Sequence, residues 1–156
     1  MKRTLRIAAA FAAIAACAFC ADNTLGTWKL NPDKSKPAAG QSRITSLIAV
    51  REAAGDTVKV TVKGEREDKS KIDVSYTAKY DGKDVAVSGS GLPYDTLAIK
   101  QVDANTLTDV RSKKGGTYKG SGRWVVSNGG KTSTLTTKGT GADGKPFGGT
   151  SVYEKQ

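Results

Sequence analysis

The 156-residue chain carries 25 Lys and Arg against 15 Asp and Glu, a formal net charge of +10, and it has no histidine and only two cysteines. Ser-His-Asp and Cys-His catalysis are therefore excluded. Because Cys17 and Cys20 both lie near the N-terminus, metal sites built on Cys or His are excluded from the rest of the chain as well.

Residues 1–20 read as an export signal. Lys2, Arg3 and Arg6 precede the short Ala-rich apolar run IAAAFAAIAACAF, and small residues follow where a signal peptidase cuts. That run is too short to span a bilayer as a stable helix. Ala18 and Cys20 fit ordinary cleavage before Ala21. The alternative is IAAC, Ile14 to Cys17, which resembles a lipoprotein box and would make Cys17 a lipidated membrane anchor. The chain is expected to be periplasmic or secreted, with residues 21–156 forming one domain that holds together without disulfides.

Without its leader the chain keeps 22 basic and 15 acidic residues, a net charge near +7. These basic residues are scattered through turns and alternate strand positions, and KGEREDKSK (63–71) mixes both signs. That pattern predicts a solvated surface, with attraction to anionic lipid or polysaccharide of the cell envelope as the alternative. Nucleic acid is not an expected partner, because no basic patch is interleaved with aromatics.

Everything after Ala21 alternates in the two-residue period of half-buried strands. TVKVTVKG sets Val58, Val60 and Val62 on one face, and KIDVSYTAKY does the same for Ile72, Val74, Tyr76, Ala78 and Tyr80. Ten strands are predicted, at about 25–31, 42–51, 57–64, 71–80, 84–88, 95–101, 105–112, 117–127, 131–138 and 148–155. Asp81-Gly82, Asn128-Gly129-Gly130 and Asp143-Gly144 supply residues tolerant of positive φ for hairpins. Only PDKSKPAAGQ (32–41) reads as long and irregular. Consecutive strands joined by short turns predict an all-β, up-and-down antiparallel barrel, since closure removes exposed edges. A two-sheet sandwich is the runner-up.

Both ends of the domain resemble one family. LGTWKLN (25–31) looks like the Gly-x-Trp opening of the lipocalin and fatty-acid-binding protein superfamily. TSVYEKQ (150–156) is similar to the closing strand of fatty-acid-binding proteins, usually Thr-Arg-Val-Tyr-Glu-Lys. The resemblance implies a lipocalin-like barrel in which Trp28, after Gly26, plugs the closed end against a basic side chain from a late strand, with Arg123 as the candidate. It also implies an interior ligand held by the last strand. Two departures stand out. Ten residues with Pro32 and Pro37 cannot form the family's two-helix lid. Ser151 also stands where the family has the arginine that grips a carboxylate, while Tyr153 is kept. One neutral hydroxyl replaces a bidentate charged donor, so a neutral or weakly polar ligand suits this pair better.

No Asp-x-Asp-x-Asp-Gly loop and no phosphate-cradling loop leading into a helix occurs. No cofactor, metal or catalytic residue is expected. The expected function is that of an exported, monomeric binding protein that encloses a small apolar or amphipathic molecule without chemistry. Tyr76, Arg123, Ser151 and Tyr153 are its ligand-binding candidates. A structural envelope protein using its basic surface is the alternative. Inward faces of Val, Leu, Ile, Ala and Thr, with Phe147 the only Phe after residue 20, predict that room remains inside.

Overall fold

The structure is a computed structural model that describes residues 22–38 and 41–156. The export signal, its cleavage site and the Cys17 alternative lie outside the described residues. Eleven strands build one antiparallel sheet. They are β1 (Gly26–Lys36), β2 (Ile44–Ala54), β3 (Thr57–Arg66), β4 (Lys71–Ala78), β5 (Asp81–Ala86), β6 (Ser88–Ser90), β7 (Thr96–Asp103), β8 (Thr106–Ser112), β9 (Lys119–Ser127), β10 (Thr132–Thr140) and β11 (Pro146–Lys155). No helix occurs among the described residues.

The strand order is β5-β7-β8-β9-β10-β11-β1-β2-β3-β4-β6. First and last strands are thus consecutive in the chain, and the sheet curls into a nearly closed barrel. Residues 81–90 form the seam. They pair first with β7, from Asp81 opposite Lys100 to Ala86 opposite Thr96. They then turn to β4, where Ser88, Gly89 and Ser90 face Ser75, Val74 and Asp73. The predicted strand at 84–88 is therefore two short strands, because one segment serves two neighbours in succession.

Residues 32–36, part of the stretch expected to be irregular, are also more regular than predicted. β1 continues through Pro32 to Lys36, and a bulge between Asn31 and Lys36 absorbs the irregularity opposite β11. Inside that bulge the Ser35 hydroxyl donates to the Asn31 carbonyl at 2.7 Å and accepts from the Val152 amide at 3.0 Å. The side chain replaces ladder bonds that the bulge interrupts.

The alternation holds where it was read. Val58, Val60, Ile72, Val74 and Ala78 are buried, with Leu30, Leu47, Leu97, Ile99, Leu107 and Val126 from the neighbouring strands. Each aliphatic side chain so buried contributes about 1.5–3 kcal/mol relative to exposure. Tyr80 departs from its predicted strand. It sits after β4 at a φ of 61°, a left-handed conformation that a bulky residue adopts only when its surroundings hold it.

The two ends of the barrel differ. At one end, residues 22–25 fold beneath the start of β1. The Asn23 amide donates to the Ala104 carbonyl at 2.9 Å, and Thr24, fully buried, donates from its hydroxyl to Asp22 at 2.5 Å. Trp28 fills the space above. It is fully buried, its indole N–H donates to the Thr24 carbonyl at 2.8 Å, and its ring meets Trp124 edge-on at 5.7 Å. The other end is formed by residues 91–95, the β3–β4 and β8–β9 turns and the approach to β2.

The seam depends on Gly89. Its φ is 106°, and a Cβ there would run into the Asp73 carbonyl oxygen of the strand it pairs with. Gly89→Ala is therefore expected to lower stability by about 1–3 kcal/mol from backbone strain alone, with steric overlap adding to it. Urea unfolding of the two proteins would measure the loss; unchanged stability would mean that residues 88–90 do not hold the seam.

Candidate functional site

An internal cavity of about 210 Å³ occupies the barrel between Trp124 and the loops of the second end. Its wall follows from parity, since every second residue of each strand points inward. β2 contributes Leu47, Ala49 and Arg51; β4 contributes Val74 and Tyr76; β11 contributes Gly149, Ser151 and Tyr153. β8 brings Leu107, Asp109 and Arg111 to the same space. Among the described residues no three acidic side chains gather to hold a metal ion.

Two guanidinium groups enter this apolar interior and are treated differently. Arg111 is neutralised by Asp109 in a bidentate pair, Nε to Oδ1 at 2.6 Å and Nη2 to Oδ2 at 2.9 Å. Its Cζ also lies 5.3 Å from the centre of the Tyr94 ring. The pair has room because β9 is bare opposite it. Asp109 faces Gly122 and Arg111 faces Gly120, and a Cβ at Gly122 would collide with the Asp109 carboxylate.

Arg51 has no such partner. It is 6% exposed, and its Nη2 donates to the Tyr80 hydroxyl at 2.7 Å. Its Cζ lies 5.1 Å from the Trp124 ring centre and 5.6 Å from that of Tyr80. These contacts account for the left-handed backbone at Tyr80, which swings the phenol under the guanidinium. No carboxylate lies within ion-pair distance of Arg51 among the described residues, and the remaining residues contain no Asp or Glu. Asp22 acts on it only from farther away.

Aromatic rings line the rest. Tyr94, Tyr118 and Phe147 stack in a row, with centroids 5.9 and 5.5 Å apart. Tyr153 lies against Trp124 at 4.8 Å. Burial pushes the Tyr76, Tyr94 and Tyr153 hydroxyls well above the usual phenol range, outweighing the opposing pull of the nearby arginines. All three stay protonated donors at neutral pH.

Of the residues singled out from sequence, Tyr76, Ser151 and Tyr153 line the cavity. Arg123 does not. Trp124 points inward, so its neighbour must point outward, and Arg123 is exposed on the outer face. The cation over Trp28 comes instead from Lys155, whose Nζ lies 5.2 Å from the ring centre. Lys155 packs there across Gly26, where a Cβ would come 2.8 Å from its Cε. Sequence reasoning missed Arg51, Asp109, Arg111 and Tyr94. For the first three the signal was present: each follows an inward Leu at a spacing of two or four residues. Tyr94 lies in the connection between β6 and β7, outside any alternating run.

No family model and no curated protein matches the chain. Among solved structures, the chain is similar to a redesigned beta barrel, mFAP1, bound to DFHBI, with 16% identity and a TM-score of 0.45 over 85% of this chain and 96% of that one.

The Asp109–Arg111 pair gives a direct test of how the interior carries charge. Removing one partner of a buried pair leaves the other uncompensated, at a cost of about 3–5 kcal/mol. Asp109→Leu is expected to lose stability on that scale, and Asp109→Leu with Arg111→Met to recover much of it. A double-mutant cycle by urea denaturation checks this; additive losses would show that the two side chains are not coupled.

Proposed function

We propose that the protein is an exported, lipocalin-like carrier that encloses one small amphipathic molecule in its barrel and performs no chemistry on it. The cavity carries this reading. An interior closed at one end by Trp28, yet holding about 210 Å³ of space walled by aliphatic and aromatic side chains together with the basic side chains of Arg43, Arg51, Arg66 and Arg111, has the make-up of a ligand site. Its size limits the guest. An engineered apolar cavity of about 150 Å³ admits benzene, and pockets for drug-sized molecules begin at about 300 Å³. A compact one- or two-ring molecule or a short chain fits between these limits, and a fully enclosed long-chain fatty acid does not.

Several features support a binding role over a filled structural core. The inner face of β11 carries the small Ser151 beside the cavity, while Gly120 and Gly122 of β9 make room for Tyr118, Phe147 and the Asp109–Arg111 pair. The ring stack of Tyr94, Tyr118 and Phe147 offers flat apolar surface, and Tyr76, Ser151 and Tyr153 offer hydroxyls. The reading of the chain as lipocalin-like rests on the Gly-x-Trp start and the VYEK end, paired here as first and last strands with Leu30 opposite Tyr153.

Native mass spectrometry of the protein purified from its own host tests the proposal. A bound small molecule is expected, and Ser151→Trp, which fills the cavity from β11, is expected to remove it while leaving the fold intact by circular dichroism. Consistently empty spectra of the unmodified protein would overturn the reading.

A further inference from the structure

The open side of the Asp109–Arg111 pair belongs to the cavity. Both residues line the space, and their side chains keep 11% and 13% of their surface accessible. Their other side lies on bare backbone at Gly122, where a Cβ would collide with the carboxylate and with Arg111 Nη2. The contact between them uses two of the guanidinium's N–H groups and one lone pair on each carboxylate oxygen, which leaves further donors and lone pairs unused. Neither side chain makes another hydrogen bond among the described residues. Arg51 and Trp124 differ in this respect, since their unused donors, Nε and Nε1, are sealed from any guest.

Such a pair presents a donor and an acceptor side by side, with Arg111 Nη2 and Asp109 Oδ2 2.9 Å apart. It carries no net charge. An anionic guest approaching Arg111 therefore meets the repulsion of Asp109, and a cationic guest approaching Asp109 meets that of Arg111. Bringing either charge into an apolar interior is costly without a partner of its own. A neutral group that carries an acceptor next to a donor engages both halves of the pair at once. The neighbouring hydroxyls favour the acceptor half. Tyr76, Tyr94 and Tyr118 lie close enough to feel both Arg111 and Asp109, and burial keeps all three protonated.

Resting on the enclosed-ligand reading above, we infer that Asp109 and Arg111 form a polar subsite for a compact, neutral cyclic amide. In a lactam the ring forces the cis arrangement, so the C=O and N–H of one amide lie on the same side. The carbonyl accepts from Arg111 and the N–H donates to Asp109, while the ring body lies against the apolar wall of Leu47, Val60, Leu107 and Leu135. This accords with the closing strand, where Ser151 supplies a neutral hydroxyl and no cation. The charged groups of the subsite come instead from β8, already balanced against each other.

Calorimetry with 2-quinolinone and coumarin tests the inference, since the two bicyclic probes differ only in a ring N–H replaced by an oxygen. That oxygen removes the donor and turns a lone pair toward Asp109. The protein is expected to bind 2-quinolinone at least ~tenfold more tightly, because coumarin leaves a buried acceptor unpaired. Asp109→Leu with Arg111→Met, which removes both charges together, is expected to abolish that preference and bring the two affinities together. Three results would each overturn the inference and leave the enclosed-ligand reading standing: equal affinity of the two probes in the unmodified protein, a preference that survives the double substitution, or tighter binding of the anion 2-naphthoate. Binding of none of the three compounds would also overturn the inference, and empty native spectra would then remove the enclosed-ligand reading with it. If the double variant fails to fold, the comparison in the unmodified protein decides alone.

Discussion

The two-residue period of a strand, imposed on a sheet that curls back on itself, governs this protein. Each position is committed either to water or to an interior shared by all the strands. Parity makes the assignment before chemistry does. Arg51 goes inside because Leu47 and Ala49 do, and Arg123 goes outside because Trp124 is in. Once a charged side chain is sent inward, the surrounding residues must meet the cost of removing it from water. Asp109 meets it for Arg111 with a bidentate pair, whereas Tyr80 and Trp124 meet it for Arg51 with a hydroxyl and two ring faces.

The same constraint divides the interior into a filled end and a hollow one. Near the start of β1, large rings and the segment 22–25 occupy the available volume, and Trp28 is sealed by its bond to Thr24. Farther along, the glycines of β9 give room to the Asp109–Arg111 pair and to Tyr118 and Phe147, and β11 turns to the small Ser151 beside the cavity. The space appears where the side chains are short, and the polar groups of the barrel face into it. Fold and site are thus two consequences of one residue pattern, large at one end and small at the other.

Much of this was legible in the sequence. Alternation in TVKVTVKG and KIDVSYTAKY located β3 and β4 and their buried faces, and Asn128-Gly129-Gly130 and Asp143-Gly144 located turns, whereas Asp81-Gly82, expected as a hairpin turn, opens β5, which pairs with β7 and not with β4. The same rule applied to SLIAVR and TLTDVR would have sent Arg51, Asp109 and Arg111 inward. Charged side chains ordinarily mark the solvent face, and that expectation masked the signal. The seam was less accessible. Nothing in residues 81–90 says that the chain leaves β7 for β4 after Ala86, because backbone N–H and C=O groups pair equally well with either neighbour.

The sequence by itself determined an all-β chain, the approximate number of strands, their turns, and most of the faces. These depend on neighbours two residues apart and on local φ preferences, so they are written locally. Only the tertiary structure decided which inward side chains meet. Arg51 on β2 reaches Tyr80 beyond β4 and Trp124 on β9, while Lys155 from the last strand takes the place over Trp28 that Arg123 seemed suited to fill. Such meetings depend on barrel closure and strand stagger, which sum small twists over eleven strands and leave no local trace. That sum is what brought Arg51 against the rings of Tyr80 and Trp124, whereas Arg111 meets Asp109 two residues away on its own strand.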